Sequence, residues 1–578
     1  MRLNIMIKKV ILIFLFIPQV ILSQNLTDLE KYNGKIINNI EVDIGEIFEN
    51  ESNFLFKTVN KLKISTKKRT ILNELKFKSG DIYKPLAIFE SLRILRELKF
   101  LRRVHFVHEE IEDNKVNIKI EQNDTWTLNP QMSFSSGDGR NKRSIGLSDS
   151  NIFGLGKRLE VLAREDEGRK SIETVWDDRN FLGSNYQMLL GYFDRDDGNS
   201  YIFSLEKTFN TLIDRSGFLL SYKNEDMLGR LYENANENFI YNYRLKDYQA
   251  GYTYTLGDPN EVIKRFSFGY RHYDIDFSQA SREDFNLIDV NPDEIDFNTM
   301  LAQDRIFSGP FFAYNLIEPE YITKNYIDKF ERVQDYNIGK QISFSVHAAP
   351  SILGSIDDNY LFNYSNTKGT EVSKTSFYKN ELRLRSRLTD SSFKNTLVSF
   401  SSRYYNQFGN YKLNNSLNGK HTLATYLSLT YGEKLNLDTQ INLGADNGLR
   451  GYKSRTFNGD KSYLIHIEDR IHIKDNILQL FNLGTTVFLD IGGVTYSKFE
   501  KLFNDDLYAD IGFGLRLAVP RSSGGKVFRV DFAFPLKDGP DGSQKFDPRI
   551  IISGSQIFSS YTEQEIASSK RASVAIGF

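Results

Sequence analysis

The chain has 578 residues, of which 40% are hydrophobic and 26% charged, and its formal net charge is −1. That balance argues against a nucleic-acid binder, and the lack of cysteine excludes disulfide frameworks, thiol catalysis, cysteine-based zinc sites and a lipidated N-terminal cysteine. With 44 Phe and 31 Tyr against 2 Trp, and no series of spans of about 20 apolar residues, a helical membrane protein is excluded, whereas a transmembrane β-barrel, apolar only at alternate positions, is not.

Arg2, Lys8 and Lys9 precede the apolar run Val10–Leu22, and Ser23 before Gln24 offers a cleavage point. Residues 1–23 therefore read as a secretory signal peptide; an uncleaved anchor helix would need a longer run. Export without a later stop-transfer helix leaves the periplasm, the outer membrane or the medium.

Lys35–Val42 reads as a strand. A helix follows from about Thr66, a candidate N-cap, with Ile71, Leu72 and Leu75 on one face. Lys78-Ser79-Gly80-Asp81 breaks it, and Pro85 opens a second helix whose buried side carries Phe89, Leu92, Leu95 and Leu98 while Arg93, Arg96 and Lys99 stay wet. Strands Val104–Glu110 and Lys115–Gln122 are joined by the turn Glu112-Asp113-Asn114. His105 and His108 fall on opposite faces, so no metal site is expected, and no cofactor either.

From Trp126 to Phe558 strand follows strand. Phe528–Phe534 alternates large apolar residues with Arg529, Asp531 and Ala533, and Glu381–Leu388 alternates leucine with Arg383, Arg385 and Arg387. A soluble sandwich alternates too, and the arginines alone suit a solvated face, but the inventory favours a wet lumen inside a lipid-facing wall. Some 430 residues accommodate sixteen strands. Trp126–Phe134 would be the first strand, Asp276–Arg305 with Pro292 a long surface loop, and Arg549–Phe558 the closing strand. Residues 559–578 form an extension in which Ala572–Phe578 competes for the closing role. Pro130 lacks an amide donor and Gly554 weakens a strand, so first and closing strands should meet in a weak seam ending at Phe558.

Leu443–Tyr452 is too glycine-rich for a strand interior. It reads as a tight loop that needs φ > 0 at Gly448 or Gly451 and holds out Arg450. In Val487–Gly492, Asp490 falls on the face opposite Val487, Leu489 and Ile491, so an infolded loop would bring the Arg450 guanidinium onto the Asp490 carboxylate.

Leu449-Arg450-Gly451-Tyr452 and, about forty residues on, Phe488-Leu489-Asp490-Ile491-Gly492 resemble the V/L-R-G-F/Y loop and F-x-D-x-G strand of the BamA/TamA outer-membrane assembly superfamily (bacterial surface antigen family). Asn151-Ile152-Phe153-Gly154-Leu155-Gly156 resembles its N-l-f-G-x-G turn, and Asp178-Arg179-Asn180-Phe181-Leu182-Gly183 its D-P-R-F-L-G segment, without the proline. Ile465–Arg470 resembles its N-x-E-Y-R strand, which makes Glu468 and Arg470 lumen candidates; Asp469 replaces the usual tyrosine on the lipid side, a costly place unless at the rim or a bend. The order strand, helix, helix, strand, strand, with Phe77–Tyr83, resembles one POTRA module over residues 35–123. The resemblance thus implies a mainly β chain: a 16-stranded antiparallel transmembrane β-barrel over residues 126–558 after one small α+β POTRA domain. A sheet edge of such a module either adds a client strand or merely braces the barrel.

No G-x-S-x-G elbow, phosphate-binding loop or H-E-x-x-H helix is present, so no enzyme is expected. The resemblance implies a bacterial outer-membrane protein with its POTRA domain in the periplasm. Its partners would be lipid, unfolded outer-membrane or exported clients and accessory periplasmic or lipoprotein factors. Its function would be insertion or translocation of proteins without nucleotide hydrolysis. A two-partner-secretion transporter for one passenger, and a passive porin or surface antigen, remain alternatives.

Overall fold

The computed structural model describes residues 27–553 except 49–53, 113, 138, 139, 167, 168, 288, 289, 292, 294, 329, 331, 415, 416, 446, 479, 524 and 525. The expected signal peptide, Pro292, Gly554, Phe558 and the extension 559–578 lie outside the described residues.

The N-terminal domain runs α1 (Thr27–Glu30), β1 (Ile36–Gly45), α2 (Phe54–Leu62), α3 (Lys68–Leu72), α4 (Pro85–Glu97), β2 (Leu101–Glu112) and β3 (Lys115–Asp124). Its sheet has the order β1-β3-β2, with β1 parallel and β2 antiparallel to β3. Val116, Ile118 and Ile120 alternate along β3 and are fully buried against Ile88 and Leu95 of α4, which is what period 2 facing period 3.6 produces.

Three details differ from expectation. Helix α2 was not anticipated. Lys67, not Thr66, precedes α3 and makes no side-chain cap; the Thr66 hydroxyl instead donates to Asp124, 2.7 Å away on β3. Arg93, expected wet, is buried. It pairs with Glu90 at 2.8 Å and Glu97 at 2.7 Å and donates to the Asn210 carbonyl at 2.7 Å. The neighbour that covers it comes from the next domain, which helical periodicity cannot register.

Most of the remaining chain is one antiparallel sheet. Six shorter strands come first: β4 (Leu128–Gly137), β5 (Arg140–Ile152), β6 (Lys157–Asp166), β7 (Arg169–Asp178), β8 (Gln187–Arg195) and β9 (Gly198–Lys207). Then come β10 (Ser216–Glu233), β11 (Asn236–Asp258), β12 (Val262–Gln279) and β13 (Arg305–Ile317). A small hairpin of β14 (Tyr321–Lys324) and β15 (Gln334–Asn337) precedes β16 (Gln341–Ala349), β17 (Asn359–Ser373), β18 (Ser376–Thr389), β19 (Ser392–Asn414) and β20 (Leu417–Glu433). A second, β21 (Ile441–Leu443) with β22 (Phe457–Gly459), precedes β23 (Lys461–Ile477), β24 (Phe481–Thr495), β25 (Tyr508–Val519), β26 (Lys526–Pro535) and β27 (Arg549–Ser553). Leaving out the two small hairpins, the order is that of a closed barrel in which β27 lies beside β4.

Among the described residues the barrel has twenty strands, where sixteen were expected. Strands β4 and β6–β9 need only nine or ten residues each, and β8 meets β9 through two residues, so less chain is spent per strand than a uniform allowance assumes. The first strand begins at Leu128, since Trp126 forms a parallel bridge to Ser522 instead. Asp276 still belongs to β12, which shortens the long loop to 280–304.

Alternation sorts side chains to the two faces. On β11, exposed Tyr248, Tyr252, Tyr254 and Leu256 alternate with buried Gln249, Thr253 and Thr255. On β24, Val487 is exposed while Phe488 and Asp490 are buried; on β26, Arg529 and Asp531 point inward and are buried. Leu382 and Leu384 of β18 are exposed outward, and Arg383 between them pairs with Glu381 at 2.7 Å. Among the described residues no helix is long and apolar enough to cross a membrane.

Candidate functional site

The connection 434–460 between β20 and β23 folds into the barrel and delivers Arg450 to a fully buried position. Its Nε donates to Asp490 Oδ2 at 2.8 Å and its Nη2 to Oδ1 at 3.1 Å, the bidentate fit that a planar guanidinium allows and an ammonium does not. Nη1 reaches Glu468 and Asp531, each at 3.4 Å, and the guanidinium lies over the Phe488 ring. His466 bridges Asp490 and Glu468. Arg516 pairs with Asp531, and Arg470 with Glu468 at 3.2 Å and Asp328 at 3.2 Å.

Adjacent strands β23, β24, β25 and β26 thus each aim a charge at one point, because His466, Glu468, Asp490, Arg516 and Asp531 all fall on the inward parity of their strands. Removing one partner of such a buried set costs about 3–5 kcal/mol, since the rest is left uncompensated.

The two glycines serve differently than expected. Neither Gly448 nor Gly451 has a positive φ. A Cβ on Gly451 would lie 2.7 Å from Asp510 Cβ, and one on Gly448 2.6 Å from Leu464 Cδ2, so closeness to the wall requires them. Gly492 is tight for a related reason: an added Cβ would meet the Tyr463 carbonyl at 2.8 Å. Leu449 and Tyr452 are fully buried, and the Tyr452 hydroxyl donates to the Lys537 and Ala509 carbonyls at 2.9 and 3.2 Å.

The sequence left a second anchor unseen. Asp541, between β26 and β27, accepts from the Lys453 amide at 2.7 Å and the Thr456 hydroxyl at 3.0 Å. Burial alone would raise its carboxyl; the Lys453 and Ser543 amides and the Ser543 and Thr456 hydroxyls hold it below the usual carboxylate range. Asp328 had no sequence signal either, whereas the inward parity of His466 with Glu468 and Arg470 was legible.

Asp469, the outward carboxylate, lies 2.9 Å from His421 Nδ1 on neighbouring β20, which supplies it with a partner. The glycine turns meet the N-terminal domain. A Cβ on Gly154 would lie 2.3 Å from the Ser65 carbonyl. The Gly154 carbonyl accepts from the Lys67 amide and the Thr70 hydroxyl, Asn151 donates to Thr66 at 2.8 Å, and Asn180 donates to Glu74 at 3.0 Å.

At the seam β27 lies beside β4, and on its other side its described residues Arg549–Ser553 pair with Arg529–Ala533 of β26. Pro130 of β4 stands opposite Leu147 of β5, and β4 is two strands round the barrel from β26, which carries Asp531 of the arginine cluster. The lead into β4 is tied to the turn between β25 and β26, with the Trp126 amide donating to the Arg521 carbonyl at 2.7 Å and the Ser523 amide to the Trp126 carbonyl at 2.9 Å.

No family model matches the chain, and no curated protein matches it in sequence. Among solved structures, it is similar to BamA from Haemophilus ducreyi lacking POTRA domains 1–3, at 14% identity and a TM-score of 0.36 over 90% of this chain and 84% of that one. It is similar to CdiB from Acinetobacter baumannii at 12% identity and 0.41, over 90% and 73%, and to CdiB from Escherichia coli at 11% identity and 0.42, over 92% and 79%.

Proposed function

We propose that this chain is a bacterial outer-membrane barrel of the BamA/TamA type that assists the insertion or translocation of client proteins without nucleotide hydrolysis. The outward apolar rows suit lipid, and the inward charges suit a wet lumen. The observation that carries the client-handling reading is the barrel order, in which β4 and β27, the first and last described strands of the sheet, lie side by side. A seam between first and last strands, once opened, bares a strand edge with which an incoming strand pairs. The N-terminal domain, docked on the glycine turns, lies in the periplasm and stations clients below the seam. Arg450 on Asp490 holds the loop and the barrel shape while the seam opens.

Depletion followed by comparison of the outer-membrane proteome tests this: loss of a set of barrel proteins from the membrane supports it, and an unchanged proteome overturns it. The connection from β13 to β16, whose Ile327 and Tyr336 pack on Phe377 and Tyr405 inside the barrel, favours a second reading, export of a dedicated passenger through the barrel. Under that reading depletion removes one secreted protein and leaves the barrel proteins in place.

A further inference from the structure

The connection from β13 to β16, residues 318–340, enters the barrel from the end that carries the N-terminal domain. At its root the Glu318 amide donates to the Lys340 carbonyl at 2.8 Å, and Lys324 pairs with Glu371 of β17 at 2.8 Å. Ile322, Ile327, Tyr336 and Ile338 then pack on inward Phe377, Tyr405 and Ala424 of β18, β19 and β20. Further on, Tyr326 and Phe330 pack with Ala518 of β25 and Val527 of β26, nearly half-way round the ring from the root. The segment therefore crosses that end of the lumen.

Its seat is shaped for it. A Cβ on Gly369 of β17 would strike Ile338 at 2.7 Å, and one on Gly484 of β24 would meet Phe330 at 3.1 Å, so wall glycines stand where its side chains press. Two polar clasps hold it. Toward the barrel centre Asp328 pairs with Arg470, Arg470 donates to the Ile327 carbonyl at 2.7 Å, and the Thr422 hydroxyl donates to the Tyr326 carbonyl at 3.0 Å. Toward the N-terminal domain Arg332 donates to the Arg96 and Leu98 carbonyls at 2.9 and 3.1 Å, at the carbonyl end of α4. Arg470 also touches Glu468 and Glu468 touches Arg450, so one chain of charges runs from this segment to the infolded loop.

We propose that Tyr321–Asn337 is a displaceable plug that shuts a pore for small anions through the barrel and is released when the N-terminal domain shifts away from Arg332. The anion preference follows from the half-buried Arg385 and Arg387 of β18 and the buried Arg403 of β19, which raise the local concentration of anions, whereas Arg271 is answered by Asp247 at 2.8 Å. This goes beyond client handling and has a readout that needs no client.

The test is single-channel recording of the full chain in planar bilayers under a KCl gradient. The wild type stays mostly closed. Asp328→Asn with Arg332→Gln, and separately Gly369→Val, which crowds Ile338, raise the open probability by roughly tenfold or more, with a reversal potential of the sign for chloride. Because the chain has no cysteine, Tyr326→Cys with Thr422→Cys added to the first variant gives one reducible staple, which silences the openings until dithiothreitol is added. Heat-modifiable mobility of each sample confirms the folded barrel. A wild type that conducts steadily, folded variants that open no more often than it does, openings indifferent to the staple, or current carried by potassium each overturn the proposal.

Discussion

The Arg450 guanidinium lies 3.2 Å from the centroid of the Phe488 ring. Phe488 and Asp490 are two apart on one strand and share its inward face, so the cation is held by a ring below and a carboxylate beside it. The contact explains why the strand carries an aromatic residue there and not another aliphatic one: the negative face of the ring accepts a charge that an aliphatic side chain would only desolvate.

Arg450→Ala leaves Asp490, Glu468 and Asp531 buried with less positive charge to answer them. Stability should fall by about 3–5 kcal/mol, read as a lower denaturant midpoint or a lower temperature for loss of the compact electrophoretic form. Arg450→Lys should recover only part, because an ammonium cannot serve both Asp490 oxygens at once. Equal midpoints for wild type and the alanine variant would remove the lock.

Gly451 separates space from backbone conformation. With no positive φ to satisfy, Gly451→Ala is a pure test of the approach to Asp510, and it should cost about 1–3 kcal/mol by crowding. Gly542, which has φ +84 and open space around its Cβ position, is the converse: Gly542→Ala should cost about 1 kcal/mol through the backbone alone. Unfolding midpoints of the two variants, compared with hydrogen exchange in the loop, distinguish the causes; only the first should loosen residues 443–459.

Asp541 predicts an acid-sensitive loop. Its folded carboxyl lies below the ordinary value of 3.8, so it stabilises the fold above that value, and the contribution fades as pH falls through the folded value. Thermal midpoints recorded from pH 6 down to pH 2 should drop at the acid end, and Asp541→Asn should lower the neutral midpoint while flattening that drop. A variant curve parallel to wild type would show that Asp541 does not carry the effect.

Asn151 tests the docking of the N-terminal domain. Besides donating to Thr66 it accepts from the Gly156 amide at 2.6 Å, so Asn151→Ala orphans that amide and removes the bond across the joint, at about 1–3 kcal/mol. Limited proteolysis should then cut between the domain and β4 faster than in wild type, while the barrel core keeps its resistance. Unchanged cleavage would mean the other contacts suffice.

The sequence by itself determined whatever depends on neighbours within a few residues. Strand alternation sorted Asp490 from Val487 and Arg529 from Phe528, because successive side chains must point to opposite faces whatever they meet. It also placed α4 after Pro85 and made the arginine of a glycine-rich loop the evident partner for an inward acid. Tertiary structure decided what depends on pairing between distant segments: twenty strands among the described residues where sixteen were expected, Arg93 covered by a barrel turn, Thr66 spent on Asp124, and glycines kept for closeness to a wall. It alone brought Asp328 to Arg470 and Asp541 to Lys453, since nothing local in either stretch encodes the contact. Burial and ion pairing are properties of surfaces that exist only once the ring has closed.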